Sequence, residues 1–293
     1  MALLTNLWFP NGAKPWDFAA ADCYGAHFTP TQPLLETTPE YAERIALVAD
    51  PSGSGETVCR MVHRASDPST PAGPKTQLAP AFTTANRDPI TNWAGQSASR
   101  RWYRIKFMLP ADHVWETWHG NSQRLVVFQI HDTADTSPAD YDTSPSLWII
   151  AKSDGTLWLE LTSCNATQTT SNNFTVRAPY RFKVVPGVPI ELVFHIKWAW
   201  DDTGSMEIWQ DRRKVYFESG IANTLNHDPA RGGAGNFAIL PVYCSADLID
   251  RTVYHWGIQI GDESYSSYDS FAAACGAGTE LEMPLASGLA AII

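Results

Sequence analysis

Gln129 and His131 stand two residues apart in the stretch RLVVFQIHDT, residues 124–133. An imidazole titrates near neutral pH, so a histidine in a cleft can take and return a proton. An amide beside it can both donate to and accept from a ligand oxygen. The surrounding residues read as a β-strand, whose alternate side chains share a face. Strict alternation puts Leu125, Val127, Gln129 and His131 on one face and Val126, Phe128 and Ile130 on the other. One face then turns from apolar to hydrogen-bonding partway along the strand. Two arrangements do that: a polar patch satisfied at a strand end, or a face that opens into a cleft for binding or chemistry.

Other reactive residues are more scattered. His195 and Lys197 share a strand face in IELVFHIKW, a pattern that suits a structural role in core or rim more often than catalysis. His131, His195 and His255 fall on separate segments, and their spacing gives no support to a metal site. No G-x-S-x-G, phosphate-binding loop or dinucleotide fingerprint occurs. The five cysteines, Cys23, Cys59, Cys164, Cys244 and Cys275, are odd in number and lack C-x-x-C spacing, which argues against a disulfide framework or a zinc site. No cofactor is expected, apart from a structural calcium left open under DTADTSPADYD, whose aspartates offer hard oxygen ligands.

The elements that must hold these residues are strands. TVCRMVHR alternates Cys59, Met61 and His63 against Arg60, Val62 and Arg64. RWYRIKFML alternates Tyr103, Ile105, Phe107 and Leu109 against Trp102, Arg104, Lys106 and Met108. IELVFHIKW sets Leu192, Phe194, Ile196 and Trp198 against Val193, His195 and Lys197. TLWLEL follows the turn KSDG, SMEIWQDRRKVYFES reads as a hairpin, and TVYHWGIQIG closes the pattern. Helical periodicity is weak except for a turn or two near TPEYAERI. Many short strands between Gly, Pro, Asp and Asn predict an all-β protein, a two-sheet antiparallel sandwich.

Residues 1–45 are Pro-rich and predict an irregular N-terminal arm, residues 46–263 the sandwich, and residues 264–293 a C-terminal tail with an apolar end. Residues 67–98 and 132–145 predict long polar loops at the rim. With 293 residues there is ample chain for one large core. A net charge of −10 argues against nucleic acid as a partner. No apolar run reaches membrane-spanning length, and the N-terminus lacks the basic region of a signal peptide.

Taken in order, these segments resemble the heparin-lyase-like and glucuronan-lyase-like polysaccharide lyases, a jelly-roll family related in fold to concanavalin-like lectins. VCRMVHRASD is similar to the family's early Arg-bearing strand, and PKTQL stands where a basic-x-acidic element falls. RWYRIKFMLPADH resembles its W-Y…L-P strand, VVFQIHD its Gln-x-His strand, PGVPIELVFHIKWAWDDTGSMEIWQDRRKV its H-x-K-W hairpin, and RTVYHWGIQIGDE its last strand. The resemblance implies a polysaccharide partner, with a uronate carboxylate contacted by Gln129, His131 as the base that removes the adjacent proton, and a tyrosine, Tyr243 or Tyr254, as the acid. It adds Arg60, Lys75, Gln77, His195 and Lys197 as substrate-binding positions. One strand departs from the pattern. Where active relatives carry Tyr-x-Lys-x-Gly-x-Tyr, NFAILPVYCS places Phe237 for the first Tyr and Ile239 for the Lys, and keeps only Tyr243. Lys75 and Gln77 likewise replace an Arg and a Glu, so a bidentate guanidinium is lost.

Three readings follow: a lyase acting on a uronate-containing glycan, a carbohydrate-binding descendant without catalysis, and a structural protein of a larger assembly. The last would be a decoration or tail protein of a phage virion. Arm aromatics such as Trp8, Phe9, Trp16 and Phe18, and the apolar tail, need a surface to cover, either the domain's own sandwich or a neighbour, and this reading expects a second copy or neighbouring virion subunits to hold at least one of the two ends. The absence of a leader suits a virion protein, or one released outside the cell on lysis, and leaves a cytoplasmic location open.

Overall fold

The computed structural model describes residues 3–23, 26–68, 75–80, 100–115, 125–132, 145–152, 154–163, 175–199, 201–224, 236–243 and 249–281. Within them the chain forms two antiparallel sheets packed face to face, the jelly-roll sandwich expected from the strand pattern. The first, called here the β7 sheet, runs in the order β14 (Arg213–Ile221), β13 (Gly204–Gln210), β12 (Ile190–Lys197), β7 (Arg100–Met108), β16 (Arg251–Gly261), β5 (Thr57–His63) and β4 (Ile45–Ala49), with β1 (Thr5–Trp8) added against β16. The second, the β8 sheet, runs β11 (Thr175–Lys183), β10 (Thr156–Ser163), β9 (Leu147–Ala151), β8 (Leu125–Asp132), β15 (Asn236–Tyr243), β6 (Lys75–Ala79), β2 (Ala20–Cys23) and β3 (Ala26–Phe28). Among the described residues no helix is long and apolar enough to cross a membrane.

The alternation read from the sequence fixes which faces meet. Tyr103, Ile105 and Phe107 of β7 and Leu192, Phe194 and Ile196 of β12 point inward and join Leu147, Ile149, Leu157 and Leu159 in one core. Phe128 and Phe194 stack across the sandwich with ring centroids 5.9 Å apart. The indole N–H of Trp198 donates to the Tyr103 hydroxyl at 3.0 Å, which removes the cost of burying both polar atoms. The predicted hairpin is β13–β14, and its turn holds Asp211 at φ 48° and Arg212 at φ 69°.

The first 45 residues differ from the expected arm. β1 pairs with β16, β2 with β6, and β3 with β2, so this segment is built into both sheets. Phe9, Phe18, Cys23 and Leu35 are part of the main core. These apolar anchors therefore cover the domain's own sandwich, one of the two surfaces expected for them. The pairing of β1 has one strict requirement. Gly257 at φ +117° lets β16 bend under β1, and a Cβ there would come within 2.0 Å of the Leu7 carbonyl oxygen. The expected helix near TPEYAERI is α2 (Pro39–Ala42); α1 (Gln32–Thr37), capped by Thr31, precedes it.

Part of the tail also packs on its own domain. α3 (Tyr268–Ala274) lays Tyr268, Phe271 and Ala272 over Trp102, Val193 and Trp209 on the outer face of the β7 sheet. The Trp102 indole donates to the Tyr265 carbonyl at 3.0 Å, and Arg104 donates to the Cys275 carbonyl at 3.1 Å. The apolar end, residues 282–293, the sequons at Asn165 and Asn173, Cys164, Cys244, most of both predicted rim loops and the candidate calcium loop lie outside the described residues.

Candidate functional site

β8 does not follow strict alternation. Leu125 and Val127 point into the core, and so do Phe128 and Ile130. The register explains this: Val126 faces Ile150 of β9, but Phe128 already faces Ile149, so β8 carries one extra residue. Such a bulge turns two successive side chains to the same side and inverts the phase beyond it. Gln129 and His131 thus continue the face of Val126, away from the core. The expected grouping of Leu125 and Val127 with Gln129 and His131 is corrected by this bulge. The inner face stays apolar throughout, and the polar pair belongs to the outer face that Val126 begins.

The strands on either side complete that face. On β15, Ala238, Leu240 and Val242 enter the core, which leaves Ile239 and Tyr243 outward. Ile239 stands in register with Gln129, Phe237 with His131, and Tyr243 with Val126. Ile239 is buried against Ala79. On β6, Leu78 joins the core and the Thr76 hydroxyl donates to the Val62 carbonyl of the opposite sheet at 2.7 Å. Lys75 and Gln77 therefore face outward, in register with Tyr243 and Pro241. Gln129, His131, Tyr243, Lys75 and Gln77 are thus brought onto one face of three neighbouring strands.

The same face continues over β9 to β11 with residues the sequence reading did not single out. Trp148 is in register with Gln129, and its indole donates to the Pro145 carbonyl at 3.0 Å. Trp158 and Glu160 project outward from β10, whose Leu157, Leu159 and Leu161 are in the core. Lys152 donates to Glu160 at 3.0 Å, and the Arg181 guanidinium lies 3.9 Å from the centroid of the Trp158 ring. The alternation in SLWII and TLWLEL carried this signal: Trp148 falls opposite Leu147 and Ile149, and Trp158 opposite Leu157, Leu159 and Leu161.

Arg60, His195 and Lys197 do not join this face. They project from the outer face of the β7 sheet, on the other side of the sandwich. His195 stacks on Trp102 at 4.0 Å and pairs through Nδ1 with Glu207 at 3.2 Å. The hydrogen bond from His195, followed by that from Lys214, holds the Glu207 carboxyl below its usual range. Arg60 reaches the Glu43 carbonyl at 3.5 Å. Tyr254, the alternative acid, packs with Trp8, Met108 and Trp256 on this same far side. His255 is in the core, where Nε2 lies 3.4 Å from the Pro241 carbonyl and burial lowers its pKa to about 4. His131, His195 and His255 thus occupy three different layers and cannot share a metal. Among the described residues no group of three His, Cys, Asp or Glu side chains is placed to hold one.

An amide, an imidazole, a phenol and an ammonium on one face of a two-sheet jelly roll can hold a carboxylate and move a proton beside it. A family model for polysaccharide lyases matches residues 14–255, most of the chain, and the chain belongs to that family. No curated protein matches it. Among solved structures it is similar to an endo-β-1,4-glucuronan lyase from the fungus Trichoderma reesei, with TM-score 0.52 and 19% identity over 75% of this chain and 87% of that one. It is also similar to a family 7 alginate lyase solved in complex with a substrate, with TM-score 0.52 and 8% identity over 90% of this chain and 100% of that one. At these identities the likeness is one of fold.

Proposed function

We propose that the outer face of the β8 sheet binds a uronate-containing polysaccharide and that β-elimination on it is slow. The observation that carries this reading is the convergence of Gln129, His131, Tyr243, Lys75 and Gln77 on one face, which the bulge in β8 makes possible. In the reaction, Gln129 donates to the uronate carboxylate, so the charge that develops as the C5 proton leaves is stabilised. His131 takes that proton. Tyr243 protonates the glycosidic oxygen as its bond to C4 breaks and the C4–C5 double bond forms. Atoms and electrons balance without a cofactor.

The slowness follows from the two positions beside this machinery. Ile239, opposite Gln129, brings no charge to the carboxylate, and Phe237, opposite His131, brings no hydroxyl. Removing one donor from a developing oxyanion typically costs about a hundred- to a thousandfold in rate. The test measures binding to alginate, glucuronan and heparin against a neutral glucan, alongside the absorbance of the unsaturated uronate product. We expect binding to at least one uronate polymer and weak product formation, with His131→Ala abolishing product while the melting transition is kept. Equal binding to the neutral glucan would refute the uronate reading, and unchanged turnover in His131→Ala would remove His131 as the base.

A further inference from the structure

On one side of the sandwich the two edge strands, β11 and β14, are tied together. Arg177 pairs with Glu218 at 2.8 Å, and the Tyr180 and Tyr216 rings lie 5.8 Å apart. Beside this tie is a cleft of about 800 Å3, within the range of ligand-binding cavities. It is lined by Arg181, Lys183, Arg212 and Arg213 and by two acids, Glu191 and Asp211. Both acids are already engaged. Glu191 pairs with Arg104 at 2.5 Å, and the Asp211 carboxylate accepts the Glu191 backbone N–H at 3.0 Å. Lys183, Arg212 and Arg213 form no ion pair among the described residues. A chain of net charge −10 thus gathers around one cleft three cations without an ion pair among the described residues, beside Arg181, which lies 3.9 Å from Asp154.

The backbone adds a second observation. Arg212 holds φ +69° in a two-residue hairpin turn, where glycine or asparagine is the usual occupant. The C-terminal segment keeps it there: Leu281 N–H donates to the Arg212 carbonyl at 2.9 Å, and the guanidinium lies against Gly278, where a Cβ would meet Nη1 at 2.5 Å. A bulky residue kept in a costly conformation by its surroundings marks a position with work to do.

Arg181 joins this cleft to the outer face of the β8 sheet, because its guanidinium also covers Trp158. Tyr243, Val126, Ile150, Trp158 and Arg181 fall in one register row across five strands. At the usual strand spacing Tyr243 and Arg181 are about 19 Å apart, a span that a polymer covers and a short oligomer does not. We infer that the cleft is a second site for carboxylates of the same uronate polymer, holding the chain while the Gln129 and His131 face acts on it. The inference rests on the function proposed above.

The experiment compares the full chain with a Lys183→Gln, Arg212→Gly, Arg213→Gln variant, in which glycine suits the turn. Binding is measured for a glucuronate trimer, a glucuronate polymer and a neutral glucan, with the melting transition as the check on folding. Affinity for the polymer falls roughly three- to thirtyfold, the sum of a few exposed charge contacts. Affinity for the trimer is unchanged, and added salt weakens the parent's polymer binding more than the variant's. Unchanged polymer affinity, or an equal loss with the trimer, overturns the cleft while leaving the proposed function standing. Where the parent prefers alginate or heparin, the trimer and polymer are those of that uronate, and a parent chain that binds none of glucuronan, alginate and heparin overturns both.

Discussion

Replacing Ile239 with lysine tests the reading of the site most directly. Ile239 is 2% exposed, stands in register with Gln129 and packs against Ala79. Directly opposed residues of an antiparallel pair have Cα atoms about 4.5–5.5 Å apart, so an ammonium at this position would reach whatever carboxylate Gln129 holds. Losing the isoleucine costs about 1.5–3 kcal/mol of burial, part of which the lysine stem recovers while its head stays in the polar face. A charge-assisted hydrogen bond contributes about 1.5–3 kcal/mol. If it is made to the charge that develops in the transition state, kcat/KM on a uronate polymer rises roughly ten- to a hundredfold. The assay is the initial rate of unsaturated product formation, with Ile239→Met as the control that keeps volume and adds no charge. A folded Ile239→Lys protein that binds polymer as the parent does, yet eliminates no faster, would show that β15 does not occupy the place the resemblance assigns it.

Three further outcomes concern the frame around the site. The unfolded chain takes up a proton on His255 below about pH 6.5, whereas the folded chain refuses it until about 4, so stability present at neutral pH is lost as pH falls between those values, by up to about 3 kcal/mol; in urea titrations of His255→Leu against the parent, a stability difference that does not change across this window would refute it. Asp67→Asn takes from the buried Arg44 guanidinium the carboxylate it now meets at 2.5 Å and 3.1 Å and leaves it only the half-exposed Glu43, at 3.0 Å, as an ion-pair partner among the described residues, so it should cost up to about 3–5 kcal/mol in denaturant midpoint analysis, whereas Arg44→Met with Asp67→Leu should cost far less. Burial pushes the Cys59 thiol far above its usual range and Cys275 up to about 12, so site-resolved alkylation at mildly alkaline pH should leave both unlabelled until the chain is unfolded; labelling of either in the native state would contradict their burial.

Much of the sandwich was legible because its central strands obey a simple rule. Residues 102–109 and 190–198 alternate cleanly, and the structure keeps each predicted face: Tyr103, Ile105, Phe107, Leu192, Phe194 and Ile196 are in the core. The N-terminal strands were not legible for a physical reason. β1 and β2 are four residues each and β3 is three, too short to show a period, and they join the sheets through backbone hydrogen bonds that any sequence can make. α3 was hidden because Trp102 and Val193, which it covers, read with the charged residues on the face away from the core.

The site shows how a correct pairing can be reached through a wrong phase. Gln129 and His131 do share a face, since they are two apart beyond the irregularity. That face is not the one Leu125 and Val127 occupy, because Val127 is the extra residue. Nothing in VVFQIH betrays it: valine and phenylalanine are equally at home inside or outside a strand. The bulge reconciles two demands that strict alternation sets against each other. Core packing needs Leu125 and Val127 inward, and a polar outer face needs Gln129 and His131 outward. A strand without the extra residue could satisfy only one of these, leaving either the imidazole in the core or two aliphatic residues in water. Arg60, His195 and Lys197 failed to join the site for a different reason. Sequence order places strands in a list, but only sheet topology decides which of two outer faces a strand presents, and β5 and β12 belong to the sheet opposite β8.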